Sequence, residues 1–418
     1  MAVPSLRYSG RAMGARERQA TEEHATEEHR KTQTRQGTNL PCSSVSFFVY
    51  FCVFLCVLLW PLFLLTFLLS PWSVHAAVQT RPQPATAPEM PRVRLIATGG
   101  TISNKVGGRL TAAELVTLVP DVTRWAKPET EQFANQSSSE LTLDQWLALS
   151  KRINALLDDD RGLAGIVVTS GTDTLEELAY FLDLSVRSDR PVVVVGSMRN
   201  PSTLGYEGAA NLQEAFRVAA TPVARGRGVL VVLNDEINAA REVTKTDALR
   251  LNTFQSRGYG ILGVVDADRV VFYRDVVKRH SIKSELDLTT VSALPRVDIV
   301  MVYQGAPGDL IKAAVDRGAK GIVMAAAGAG ATSGTQDEGI AYATGKGVFV
   351  VITTRTGSGR IAARLRTPGA PGATASSRRS EYQIAGEDLA PLKARILLML
   401  ALTKTQDPTD IQRMFIEY

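Results

Sequence analysis

The chain has 418 residues, a formal net charge of +5, and a composition that is 45% hydrophobic and 21% charged. This length allows about two domains with substantial cores. Beyond residue 45 the sequence contains 40 basic and 37 acidic side chains, so the net charge there is only +3. No basic stripe with interleaved aromatic residues is present in the sequence, which therefore predicts no nucleic-acid partner.

Residues 1–77 are predicted to form a leader. Its segment Phe47–Leu69 contains no charged residue, and roughly 20 such residues can cross a bilayer. Two interpretations stay open: the stretch Val74–Ala77 favours a cleaved signal peptide, whereas the length of the apolar segment is typical of a retained membrane anchor. Both predict export to the periplasm or the exterior, with membrane contact only through an uncleaved leader. Residues 78–92 are rich in proline and predict a tether.

Cysteine and histidine are nearly absent beyond the leader. Cys42, Cys52 and Cys56 all lie within it, which predicts a folded part without disulfides or thiol chemistry. Of four histidines only His280 remains, so Ser-His-Asp and Cys-His hydrolysis are excluded, and neither a zinc site nor a cofactor is expected. Acid–base chemistry would then fall to Lys, Asp, Glu or Tyr. His280 stands in a charged stretch and is predicted to be exposed.

Short Val/Ile/Leu runs bounded by glycine alternate with amphipathic segments after the tether. Such runs are typical of parallel strands covered by helices on both faces, so the sequence predicts an α/β fold. We expect a larger N-terminal parallel-sheet domain at 93–282, a linker at 283–297 and a smaller C-terminal α/β domain at 298–418. In chain order, strands are predicted at VRLIATGG, GIVVTSG, PVVVVGSM, GVLVVLND, VDIVMVYQG, GIVMAAAG and VFVVITT.

Capping boxes, in which an N-cap residue is followed three positions later by Glu, mark two helix starts. Thr111 and Glu114 form the first. The second is formed by Asp173 with Glu176 or by Thr174 with Glu177. Residues 367–380 are rich in Gly, Pro and Ser and predict a mobile loop.

Three polar segments follow predicted strands and could carry chemistry. Thr101 follows two glycines in RLIATGGTISN, and Thr172 with Asp173 lies in TSGTDT. Ligands bind where parallel strands end, although helix capping alone would also explain the second segment. Lys245 stands in REVTKT; unlike arginine, a lysine can lose its proton and act as a general base, although most lysines are simply surface residues.

These segments together resemble the bacterial type II L-asparaginases and their glutaminase-asparaginase relatives, from about Arg94 to Tyr418. The resemblance implies a two-domain fold with the larger domain first and an amidohydrolase that converts L-asparagine, and as a second candidate L-glutamine, to the acid and ammonia. The motifs that carry it are IATGGTIS, VVTSGTDTLEELAYFLDL, PVVVVGSMR, GVLVVLNDEI, REVTKT and KARILLMLALTKTQDPTDIQRMF.

The resemblance also implies roles for individual residues. Thr101 corresponds to the attacking threonine, and a second cluster, in which lysine and aspartate tune a threonine hydroxyl, corresponds to Thr172, Asp173 and Lys245. Asp173 would also hold the substrate α-ammonium. The remaining expected substrate-binding positions are Ser138 for the α-carboxylate, Ser139 beside it, Gly100 and Gly171. The two glycines that precede Thr101 are expected to let the backbone flex and to carry N–H donors to the amide oxygen.

This chain departs from the family at several positions. Ser139 stands where Gln or Glu is usual, and Ser170 where His is common. The segment SNKVGGRL lacks the tyrosine of the family's mobile loop. The family forms homotetramers in which a neighbouring subunit's Glu completes each site, but the corresponding region around Glu381 matches poorly. These departures leave a catalytically impaired relative as one alternative. A second alternative is an exported amino-acid-binding protein, because two α/β domains and a proline-rich tether also fit that class.

Overall fold

Two β-sheets organise the computed structural model, which describes residues 89–363 and 381–418. The predicted leader, residues 78–88 of the tether and the predicted loop at 367–380 lie outside these ranges. Within the described ranges, the structure has no helix whose length and apolar character would suffice to cross a bilayer.

The first sheet and its helices occupy the N-terminal part of the described chain. Its strands are β1 (Arg92–Gly99), β4 (Lys127–Gln136), β5 (Leu163–Thr169), β6 (Val192–Val195), β7 (Val229–Leu233), β8 (Glu236–Ala239), β11 (Gly263–Val265) and β12 (Val270–Phe272). Two short pairs lie outside it: β2 (Asn104–Lys105) with β3 (Gly108–Arg109), and β9 (Thr244–Lys245) with β10 (Phe254–Gln255). The helices are α1 (Ala112–Thr117), α2 (Leu143–Asp159), α3 (Leu175–Ser185) and α4 (Gly208–Ala220).

The first sheet has eight strands in the order β12-β11-β8-β7-β6-β5-β1-β4. The five strands from β7 to β4 are parallel, and β8, β11 and β12 join antiparallel, so the sheet is mixed. Its central strands are almost entirely apolar because both faces are covered: Ile166 and Val168 pack into one core, and Val167 packs into the other.

The second sheet is parallel and has four strands in the order β13-β14-β15-β16. These are β13 (Val297–Met301), β14 (Gly321–Ala326), β15 (Phe349–Thr354) and β16 (Gln383–Ala385), with helices α5 (Asp309–Asp316), α6 (Gln336–Gly345), α7 (Pro391–Ala401) and α8 (Pro408–Glu417). Side chains of α7 share one core with Val168 of the first sheet and Val323 of the second. The prediction of a two-domain α/β fold with the larger sheet first is confirmed.

Two local predictions are wrong: the one for the second capping box and the one for the exposure of His280. The first capping box forms as expected, with reciprocal bonds between Thr111 and Glu114. At the start of α3 the N-cap is Thr174, whose side chain makes no capping bond; Glu176 is instead engaged by residues from another segment. His280 is buried, with 3% of its surface exposed, because it packs beside Gly228 at the end of α3 and not in solvent.

Candidate active site

The candidate site lies at the carboxyl edge of the first sheet. Strands β1 and β5 are parallel neighbours, with Ala97 opposite Thr169, so the turns that follow them meet at this edge. The Thr98 hydroxyl donates to the Thr169 carbonyl at 2.7 Å and ties the two strand ends together. Helix α3 begins just after the second turn, and its N-terminal end places a partial positive charge there.

Glycines allow the two turns to touch. Gly100 has φ +87°, and a Cβ added to it would lie 2.2 Å from the Gly171 nitrogen. A Cβ on Gly171 would in turn lie 2.7 Å from the Ser138 Oγ. The Gly100 N–H donates to the Gln136 carbonyl at 2.9 Å, so the expectation that this N–H is free to bind a substrate oxygen is wrong. Gly100 contributes close approach instead.

Thr101 opens a single 3-10 turn, Thr101–Ser103, and is half-buried. Backbone and side-chain donors hold this turn: Ser103 donates to the Gly100 carbonyl, and the Tyr206 hydroxyl donates to the Ile102 carbonyl at 2.8 Å. Burial raises the pKa of the Tyr206 phenol, so it stays protonated and keeps donating. Tyr206 was not identified from the sequence, because it lies in a turn without apolar periodicity.

Lys245 reaches the second turn from β9. Its Nζ lies 3.1 Å from the Thr172 Oγ1 and 2.8 Å from the Asp173 Oδ1. The Thr172 side chain is buried, the Lys245 side chain is 16% exposed and the Asp173 side chain is 74% exposed. The cluster is therefore closed on the threonine side and open at the aspartate. An open cleft of about 320 Å³ adjoins it, lined by Asp173, Lys245, Thr246, Asp247 and Ala248.

Glu176 holds the backbone that carries Lys245. Its Oε1 accepts from the Lys245 backbone N–H at 3.1 Å and from the Thr244 hydroxyl at 3.0 Å. The side chain is 95% buried, at the first turn of α3. Sequence reasoning assigned Glu176 only to a capping pattern, and the signal that could have found it is a second acidic residue three positions after Asp173.

The structure brings the sequence-predicted residues together in two groups. Thr172, Asp173 and Lys245 are joined by hydrogen bonds. Gly100, Gly171 and Ser138 are in contact, with Thr101 next along the chain; Ser138 is buried and begins the short turn after β4. Ser139 is exposed, and among the described residues no hydrogen bond joins it to either group. No cluster of three His, Cys, Asp or Glu that could hold a metal occurs in the described ranges.

Two family models match this chain: "Asparaginase, N-terminal" at residues 92–278 and "Glutaminase/Asparaginase C-terminal domain" at 296–415. The chain is 42% identical to the L-asparaginase 2 of Bacillus subtilis over 340 residues, covering 79% of this chain and 87% of the relative. It is 36% identical to a probable periplasmic L-asparaginase of Haemophilus influenzae over 344 residues, covering 80% of this chain and 95% of the relative.

A solved structure gives the same result. The crystal structure of a probable cytoplasmic L-asparaginase from Campylobacter jejuni superposes with a TM-score of 0.72 at 38% identity, covering 78% of this chain and all of that one. Both matched models, the long alignments and the shared fold agree over the described sheets. The chain belongs to the asparaginase family.

Proposed function

We propose that this protein is an L-asparaginase that hydrolyses the side-chain amide of L-asparagine to aspartate and ammonia. The observation that carries this proposal is the contact of Lys245 with Thr172 and Asp173, beside a glycine-packed turn that presents Thr101. A lysine–threonine–aspartate cluster supplies proton transfer without histidine or thiol. L-Glutamine, one methylene longer, is the second candidate substrate.

In the proposed reaction the Thr101 hydroxyl oxygen attacks the amide carbon. A C–O bond forms, the C–N bond breaks, and the threonine proton leaves with the amine as ammonia. Water then cleaves the ester and restores the hydroxyl. We assign proton transfer to Thr172, which lies 3.1 Å from the Lys245 amine, with Asp173 orienting that amine. The N-terminal end of α3 favours the negative charge of the tetrahedral intermediate.

Substrate recognition is proposed to use the residues around this cluster. The exposed Asp173 carboxylate is suited to the α-ammonium, and the Ser138 hydroxyl, beside Gly171, to the α-carboxylate. Ser139 is polar and exposed but carries no charge, so it would add at most a hydrogen bond. Gly100 and Gly171 leave the room that the amide needs.

The assembly and location of the protein also belong to the proposal. We propose a homotetramer, as the family resemblance implies, and export to the periplasm or the exterior through residues 1–77. The Haemophilus relative is described as periplasmic and the Campylobacter relative as cytoplasmic, so both locations occur among the similar proteins. N-terminal sequencing of the mature protein tests the leader, and light scattering tests the assembly.

A coupled ammonia assay with L-asparagine, L-glutamine and their D-forms tests the activity. We expect release from L-asparagine, and less from its D-form. Calorimetric binding of L-asparagine without ammonia release would instead indicate an amino-acid-binding protein. Release from no substrate, without binding, would indicate an impaired relative.

A further inference from the structure

A buried lysine outside the candidate site contacts the segment that carries Lys245. Lys393 lies in the first turn of α7, and its side chain is among the largest that are fully buried, at 2% exposure. A lysine is almost never buried this deeply without partners, because removing an ammonium from water is costly. Its hydrogen-bonding partners therefore indicate what this lysine does in the fold.

All three partners of Lys393 are backbone carbonyls of one short segment. Its Nζ donates to Ala240 at 2.8 Å, to Arg241 at 2.9 Å, and to Val243. An ammonium has three N–H donors, and here each has an acceptor. One side chain thus holds three carbonyls of residues 240–243 around a single point.

The same segment continues directly into the site. Lys245 follows Val243 by two residues, and its backbone N–H is held from the other side by Glu176. Residues 240–245 are therefore fixed at two points: by Lys393 of α7 before the site, and by Glu176 of α3 at the site. Both holding side chains are charged and buried.

Electrostatics agree with this arrangement. Burial lowers the pKa of Lys393 to about 8, and the nearby Glu176 carboxylate opposes that shift. An apolar side chain of similar size would fill the same space without the desolvation cost, but it would leave three buried backbone carbonyls without a donor. Packing alone thus gives no reason for a lysine here.

We propose that Lys393 is a positioning residue for Lys245: its three carbonyl bonds hold residues 240–243 so that the Lys245 amine stays within hydrogen-bonding distance of Thr172 and Asp173. This inference rests on the proposed function of Lys245. It assigns a role in the site to α7, a helix that follows the second sheet in the chain.

The test compares Lys393→Met with Leu397→Ala. Methionine keeps the volume of the side chain but leaves three carbonyls without a donor. Leu397 lies one helical turn away and is fully buried in the core, and its side chain makes no hydrogen bond to residues 240–243. We expect Lys393→Met to lower kcat for L-asparagine about tenfold to hundredfold with KM changed less than about threefold, since a misplacement near 1 Å can cost this much. Leu397→Ala should lower Tm with kcat nearly unchanged.

Lys393→Gln provides a second variant in case the methionine variant does not fold. Glutamine retains two N–H donors for three acceptors, so we expect a kcat between wild type and Lys393→Met. Equal kcat in the lysine variants and in Leu397→Ala, assayed well below every Tm, would overturn the inference.

Amide hydrogen exchange separates this inference from the proposed activity. Peptides covering residues 240–247 should exchange faster in Lys393→Met than in Leu397→Ala, even if no substrate is hydrolysed. If the wild type released no ammonia, the proposed function would fail while this exchange difference still reported the positioning. Unchanged exchange, or faster exchange with unchanged kcat, would overturn the role of Lys393.

Discussion

The two threonine-bearing turns at the sheet edge are held in opposite ways. The first turn, residues 98–103, is shaped by backbone: two glycines with positive φ, carbonyls that accept hydrogen bonds, and a close approach to Gly171. The second turn, residues 170–174, is held by charged side chains, with Lys245 on Thr172 and Asp173. Under the proposed function, the first turn would serve approach to the substrate and the second would serve proton transfer.

This difference separates what each substitution would remove. A change in the first turn alters where a hydroxyl lies relative to the substrate, and this acts mainly through geometry. A change in the second turn alters which groups can exchange a proton. The expected losses below follow from that division, starting with the largest.

Thr101→Ala should abolish ammonia release, with a loss of at least about 10⁴-fold, because no oxygen remains to attack the amide. Thr172→Ala should lose less, about 10² to 10⁴-fold, because it removes a proton relay. Steady-state assays on both variants, with Tm within a few degrees of wild type, check this order. The reverse order would make Thr172 the nucleophile and exchange the roles of the two turns.

Lys245→Met should lower kcat about 100-fold or more, since it deletes the amine that bonds to Thr172 and Asp173. Lys346→Met is the control: this lysine pairs with Asp316 at 2.8 Å on the surface, and its loss should leave turnover unchanged. A Lys245→Met enzyme with more than about a tenth of wild-type kcat would break the assignment of the base.

The two threonine-bearing turns and Lys245 could be predicted from the sequence. The residues that could not be predicted were missed for physical reasons. Glycine next to threonine at the end of an apolar strand predicts both turns, because parallel strands end at one edge. Lys245 is also foreseeable, from its polar surroundings. Glu176 and Lys393 are not, because their roles depend on carbonyls and amides of a segment distant in sequence: Glu176 matches a capping pattern, and Lys393 lies in an apolar helical run.

Gly100→Ala should lower kcat about tenfold or more and also lower Tm. The new Cβ would lie 2.2 Å from the Gly171 nitrogen, so one of the two turns must move. Gly107→Ala is the matched control: Gly107 also has positive φ, +84°, but a Cβ there meets nothing within 4 Å. Measuring both variants separates contact from backbone strain, and equal losses of kcat would show that strain alone is responsible.

Tyr206→Phe should have a smaller effect, about threefold to tenfold on kcat. It removes one donor, at 2.8 Å, from the Ile102 carbonyl next to Thr101, and a typical hydrogen bond contributes about 1 kcal/mol. Tyr342→Phe removes a bond to Asp316 at 2.6 Å, away from the edge, and should leave kcat unchanged. If Tyr206→Phe raised only KM, the tyrosine would act on binding and not on the position of the first turn.

A third turn at the same edge joins β7 to β8, and its Asp235 lies against Glu214 of helix α4. Burial, aided by the neighbouring Asp235, raises the pKa of Glu214 to about 8, and its Oε2 accepts from the Asp235 N–H at 3.1 Å. The folded state then keeps a proton that the unfolded state loses above about pH 4.3, so the free energy of unfolding should fall as pH rises from there to about 8.

Glu214→Gln keeps an acceptor and cannot ionise, so it should match wild type near pH 4 and be more stable than wild type near pH 8. Each unit of pKa difference is worth about 1.4 kcal/mol, which sets a ceiling of a few kcal/mol. Urea unfolding at both pH values measures this, and the pH profile of kcat should stay the same as in wild type. A shifted profile would mean that Glu214 and Asp235 influence the candidate site, and the comparison of the two threonine-bearing turns would then have to include the third turn.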